Sequence, residues 1–279
     1  MTSAERLAEI VDALESVGLR CLVMGGHAVR YYGFERTTID FDLHLGADGW
    51  DDLPSRLTQL SLTAGVELTE GNTWRPGAFR RFLIGRLPDG REEWLEFWRF
   101  NHLLAPFPEL YSRRETGEYG GRKLSFLSLP DLIRSKETDR EVDWQDIERL
   151  EEFLDARLFA AAMSDAANRT NALSSVRSRR GFERLLAEGW IRDAPLAASA
   201  IAAVSSPIPW AYLRPFVADA GAPPQEFRLE PLVEQKLRTV AGGSLAHISV
   251  VEIVRLQYKR LRKAADAADK QAIRAAQNS

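Results

Sequence analysis

Asp40 and Asp42 stand two apart in the run Ile39-Asp40-Phe41-Asp42-Leu43-His44-Leu45, thirteen residues after the pair Gly25-Gly26. The run has the β-branched and apolar content of a strand, and side chains alternate faces along a strand, so the two aspartates point the same way. Two ionised carboxylates side by side on a half-buried face repel each other and lose solvation. A divalent cation is the usual compensation. Such a pair needs a third carboxylate from a neighbouring strand. Glu96 in Leu95-Glu96-Phe97 is the best candidate, an acid between apolar neighbours with Trp94 and Trp98 on its own face. The alternative puts Glu96 on the surface of an edge strand. Glu92 and Glu93 lie at the turn end and are weaker candidates.

Three hard oxygen ligands suit Mg²⁺ or Mn²⁺ rather than zinc. Two such ions, roughly 3.5–4 Å apart, clamp the attacking and leaving oxygens of an in-line phosphoryl transfer. In that scheme Asp40 and Asp42 bridge both ions. Glu96 holds the ion that acidifies the attacking hydroxyl, and the second ion grips a nucleoside triphosphate. Gly25 and Gly26 suit the same chemistry, because glycine lets backbone N–H groups approach phosphate closely.

The elements that position these residues are legible from pattern. Thr2-Ser3-Ala4-Glu5 has the form of a capping box, and Leu7, Ile10, Val11, Leu14 and Val17 follow at helical spacing before Gly18. Leu19–Met24 reads as a buried strand and His27–Tyr32 as a short helix. Ile39–Leu45 reads as the carboxylate strand and Asp51–Leu62 as another helix. Ala78–Leu87 and Glu92–Phe100 flank Pro88-Asp89-Gly90 and predict a β-hairpin. Lys123–Leu127 predicts a further strand. Ser128 caps a helix with Pro130 in its first turn, and this helix or a second one carries Ile147, Leu150, Phe153 and Leu154. After about Ala156 no alternating run appears, and proline clusters separate helical pieces. The expectation is an α+β fold: a small mixed β-sheet flanked by helices over 1–156, then a mostly helical C-terminal domain over 157–279.

The chain has 279 residues, a net charge of −3 and one cysteine, Cys21, in an apolar run. A single cysteine excludes an internal disulfide and a multi-cysteine zinc site. The charge excludes binding of nucleic acid by the protein's overall field, leaving only local basic patches. Two are visible: Arg177, Arg179, Arg180 and Arg184, and the run Lys259–Lys263 beside Tyr258. The plainer reading of each is a solvated helix face. No apolar signal segment or bilayer-length run is present, so the expected home is cytoplasmic, without a membrane partner.

The string from Gly25 to Asp42 resembles the signature of the DNA polymerase β-type nucleotidyltransferase superfamily: apolar-Gly-Gly/Ser, a spacer, then Asp-apolar-Asp/Glu-apolar. More narrowly, Gly25-Gly26-His27-Ala28, then Gly33-Phe34-Glu35-Arg36-Thr37-Thr38, then the Asp pair resemble the AbiEii-like and MenT-like branch. Leu132-Ile133-Arg134-Ser135-Lys136, Arg140, Asp143 and Asp146 resemble that branch's helical stretch. The resemblance spans roughly residues 20–155 and implies transfer of NMP from an NTP to an acceptor hydroxyl. It implies an RNA acceptor, especially a tRNA 3′ end, and a toxin paired with a cognate antitoxin. A protein hydroxyl or an aminoglycoside-like molecule stays open as acceptor, and so does a non-catalytic binding protein on the same fold.

The resemblance also assigns Lys136 a triphosphate contact. Arg36 either reaches the triphosphate or holds the Asp40 loop. Arg140 and Asp143 read as a structural ion pair. His27 reads as a helix-start residue with a local hydrogen bond, and His44 shares the face of Asp42. Two departures stand out: the third acid is Glu96 where the superfamily often has Asp, and Gly26 replaces a serine hydroxyl with a bare backbone donor.

Overall fold

The computed structural model describes residues 2–62, 67–68, 79–101, 104–136 and 140–176, and scattered positions from 178 to 275. The run Lys259–Lys263 with Tyr258, together with Arg177, Arg179, His102 and His247, lies outside the described residues. The chain divides into two compact units, Met1–Glu137 with Asp269–Ser279, and Thr138–Ala268.

In the first unit, helix α1 (Ser3–Ser16) starts on the expected capping box. The Glu5 amide donates to Thr2 Oγ1 at 3.2 Å, and the Thr2 amide donates to Glu5 Oε2 at 2.7 Å. Its apolar stripe, Leu7, Ile10, Val11 and Leu14, is fully buried. Strand β1 (Cys21–Val23) follows, then α2 (Gly25–Tyr31), β2 (Phe41–Leu45) and α3 (Leu53–Gln59). The short β3 (Glu67–Leu68) precedes the hairpin of β4 (Phe79–Arg86) and β5 (Glu92–Trp98). The hairpin turns at Pro88-Asp89-Gly90, as the sequence predicts, with Gly90 at φ +86° and Asp89 accepting from the Arg91 amide. Then come α4 (Phe107–Ser112), β6 (Glu115–Tyr119), β7 (Arg122–Phe126) and α5 (Leu129–Ser135), capped by Ser128.

Among the described residues the strands form one seven-stranded mixed sheet in the order β3-β4-β5-β2-β1-β7-β6. β2 is antiparallel to β1 and parallel to β5, and β1 is parallel to β7. Phe41, Phe97, Phe126 and Leu22 fill the core beside this central group. Strand β6 carries no hydrophobic alternation and escapes a pattern search. Its Gly117 is needed because a Cβ there would sit 2.5 Å from the Tyr31 hydroxyl, and Tyr31 stacks on Phe126 with ring centroids 3.8 Å apart.

In the second unit, α6 (Glu141–Ser164) is a long helix, followed by a 3-10 turn (Ala166–Asn168) and α7 (Arg169–Ser175). Residue 157, where the sequence expects a domain boundary, lies inside α6. Asp155 is buried and accepts from the Ser178 amide at 2.7 Å and its hydroxyl at 2.5 Å. Arg180 pairs with Glu152 at 3.1 Å, and the Arg184 guanidinium lies 4.5 Å over Phe159, so these two cluster members are engaged with their own unit. No helix among the described residues is long and apolar enough to cross a membrane.

One helical expectation changes. Lys136 and Arg140, read from sequence as parts of one helical stretch, do not belong to one helix, because α5 ends at Ser135 and α6 begins at Glu141. Lys136 is the C-cap of one helix and Arg140 the N-cap of the next, where it lies 3.8 Å from Asp143.

Candidate active site

Asp42 on β2 and Glu96 on β5 are direct partners in the parallel pairing. Aligned partners project from the same face of a sheet, so their carboxyl groups are neighbours. β5 lies between β4 and β2, not at an edge, and Glu96 is only 8% exposed. The surface-glutamate alternative therefore does not describe this residue. Glu92 and Glu93 are paired elsewhere, with Arg86 at 2.7 Å and Arg6 at 2.8 Å. Asp40 sits just before β2, half-buried and close enough to Asp42 to feel its charge.

Negative charge is crowded here. Burial raises the Glu96 carboxyl to about 8, and the charges of Asp42 and Asp40 push it the same way. A side-chain hydrogen bond to Asp42 also favours the protonated acid, with Glu96 donating. Burial and Asp42 raise Asp40 as well, while Arg81 and the Trp94 amide pull it down. Arg81 was not visible as a site residue in the sequence. It stands opposite Glu96 across the β4–β5 pairing, with Nε 3.4 Å from Glu96 Oε1 and its guanidinium 4.1 Å over the Trp94 ring. Only a hairpin signal and a register count would have found it.

The glycine pair is pressed onto this strand. Gly25 has φ +63°, and a Cβ there would fall on the Asp42 carboxylate. The Met24 amide donates to the Asp42 carbonyl at 3.0 Å, tying the turn to β2. A Cβ on Gly26 would lie 2.6 Å from Thr38 Cβ, and Thr38 Oγ1 donates to the Asp40 carbonyl at 3.1 Å. Both glycines are thus required by close approach to the carboxylate segment.

Lys136 is buried at the end of α5, which packs against α2. Arg36 is half-buried and donates to the Thr37 carbonyl at 3.3 Å. His27 does not make the local bond expected of it. Its Nδ1 lies 2.8 Å from the Tyr119 hydroxyl, 92 residues away, and its ring stacks on Phe41 at 5.2 Å. His44 shares the Asp42 face and lies against Phe107. Burial lowers both histidines to about 4, so both are neutral near pH 7. Cys21 is fully buried and its thiol is pushed up to about 12, which leaves it no nucleophilic role.

The donor set consists of hard carboxylate oxygens in excess of nearby cations, which is the chemistry Mg²⁺ or Mn²⁺ takes. No group of three or more His, Cys, Asp or Glu side chains among the described residues is arranged to hold a metal ion as it stands.

The Glu96 shift has a sign that can be measured. Between the ordinary 4.5 and about 8, the folded protein keeps a proton that the unfolded chain has lost. Its contribution to stability is full below that window and declines as pH rises through it. Without divalent ions, the melting temperature of Glu96→Gln relative to the parent is expected to climb steadily across the window. A pH-independent difference would remove the shift.

No family model matches the sequence, and no curated protein matches it. Among solved structures, the chain is similar to an antigenic nucleotidyltransferase-like protein from Paracoccidioides brasiliensis, at 17% identity and TM-score 0.39, covering 72% of this chain and 93% of that one. It is similar to JHP933 from Helicobacter pylori at 13% identity and TM-score 0.38, covering 98% and 96%. It is also similar to a putative nucleotidyltransferase from H. pylori at 14% identity and TM-score 0.34, covering 93% of each. At these values the likeness carries no argument, and the site stands on its own geometry.

Proposed function

We propose that the chain is a metal-dependent nucleotidyltransferase that moves NMP from an NTP to an acceptor hydroxyl, with RNA as the acceptor. The observation that supports this most is the pairing of Asp42 with Glu96 on adjacent strands, under a glycine turn with no room for a side chain. Asp40, Asp42 and Glu96 would hold Mg²⁺ or Mn²⁺, which supplies charge neutralisation at the α-phosphate and acidifies the attacking hydroxyl.

The acceptor oxygen attacks the α-phosphorus, the bond to the β-phosphate oxygen breaks, and pyrophosphate leaves. Glu96, beside the aspartate pair, is the group on this chain placed to assist removal of the hydroxyl proton. The backbone amides at Gly25 and Gly26 face phosphate, and Lys136 and Arg36 contact the triphosphate. The resemblance to the AbiEii-like and MenT-like branch adds a tRNA 3′ end as target and a cognate antitoxin as partner.

The test uses each NTP radiolabelled at the α-phosphate, with Mg²⁺ or Mn²⁺ and total RNA. Label is expected in one RNA class from one preferred NTP. One observation favours a second reading, a non-catalytic nucleotide- or protein-binding member of the same fold. No three-ligand group is arranged to hold a metal among the described residues, and the Arg81 guanidinium already lies 3.4 Å from Glu96. Tight Mg²⁺-dependent triphosphate binding with no transfer to RNA or protein would select that reading.

A further inference from the structure

Beyond the carboxylates, the same face of β2 runs into a cavity of about 590 Å³. His44 lines its floor, and its position two residues from Asp42 is a step of ~7 Å along the strand. Phe107 and Tyr111 of α4 form one wall, and Arg20, Arg99 and Phe100 stand around it. The Arg20 guanidinium lies 5.3 Å over the Tyr111 ring, which Arg114 also covers at 4.0 Å, so Arg20 is held in place. Phe100 is 41% exposed, one of two large apolar side chains left exposed among the described residues.

Two guanidinium groups face one acid, Asp48, among the lining residues, in a chain whose net charge is −3. This local reversal of sign attracts an anion. Guanidinium recognises phosphate oxygens through paired N–H donors. An exposed aromatic ring beside it offers a stacking platform to a planar base. A phosphate and a base joined in one molecule make a nucleotide.

We propose that this cavity seats one nucleotide of a single-stranded RNA, its base against Phe100 and its phosphate on Arg20 and Arg99. The nucleotidyltransferase reading enters only in making that RNA the acceptor, with the seat reached along β2 through His44, two residues from Asp42. The affinity itself needs no transfer.

Binding of a short, fluorescently labelled single-stranded RNA to the full chain, in EDTA so that no transfer occurs, tests this directly. Arg20→Gln/Arg99→Gln is expected to weaken binding at least tenfold and to flatten its salt dependence, the slope falling by ~0.7 for the one lost phosphate contact. Phe100→Ala is expected to weaken binding about tenfold and leave the salt slope unchanged. Both arginines and Phe100 are exposed, and thermal melts confirm that the variants fold. If a free nucleoside monophosphate binds with the same sensitivities and RNA does not, the seat stands and its source is the free nucleotide. If neither binds, or affinity ignores all three substitutions, the proposal is overturned. Arginine-dependent RNA binding without any NMP transfer would leave the seat in place and remove the enzymatic reading. Transfer to RNA that the three substitutions do not touch would do the reverse.

Discussion

Asp42→Asn lowers NMP transfer by ~10³-fold or more and leaves the protein folded, with an apo melting temperature at or above that of the parent. The first half follows from charge. Asp42 would contribute to both ion positions, and losing one preorganised electrostatic group at a reacting centre costs about 10²–10³-fold in rate. A substitution that also strips a metal ligand costs at least that much. The second half follows from crowding. Asp42 is a named cause of the upward shifts at Asp40 and Glu96. Asparagine keeps the shape and removes the repulsion, so the metal-free fold loses a destabilising interaction. Asp40→Asn is expected to behave likewise. The measurement is single-turnover transfer from an α-labelled NTP, beside a melt in EDTA. Transfer retained by the Asp40→Asn/Asp42→Asn double variant would end the metal assignment.

Gly25→Ala is expected to cost about 2–5 kcal/mol of stability, together with most of the activity. At φ +63°, any residue with a Cβ sits in the left-handed region, a cost of about 1–2 kcal/mol. The new methyl also falls on the Asp42 carboxylate, so Asp42 or the turn must move, and overpacking of that kind costs about 1–3 kcal/mol. The two costs separate in a double-mutant cycle. Combining Gly25→Ala with Asp42→Gly should recover about the overpacking part, leaving the backbone strain. Urea denaturation reads both. A Gly25→Ala protein as stable as the parent would mean that the turn does not lie on the carboxylate strand.

The second pair of substitutions also shows why this site was half legible from sequence. Gly-Gly before Asp-apolar-Asp says that a tight turn precedes two same-facing acids. It does not say that Gly25 is a glycine because of Asp42, since that contact joins residues seventeen positions apart. Likewise Glu96 reads from sequence as an acid among apolar residues, on either a buried or an edge strand. Only the parallel pairing of β2 with β5, across an intervening stretch that contains α3, β3 and β4, makes it a neighbour of Asp42. The Tyr119 partner of His27 gave no local signal at all, and Arg81 could be reached only by counting register across the hairpin.

Sequence alone determined what periodicity and turn chemistry dictate: the capped first helix, the Pro88-Asp89-Gly90 hairpin, and the burial of Cys21. These depend on residues within a few positions of one another, where backbone geometry sets side-chain direction. Strand order, the guanidinium opposite Glu96, and the nucleotide-sized cavity beyond His44 were decided by tertiary structure. They arise when distant segments compete for the same hydrogen-bonding edges and apolar faces, and the outcome of that competition depends on the whole chain.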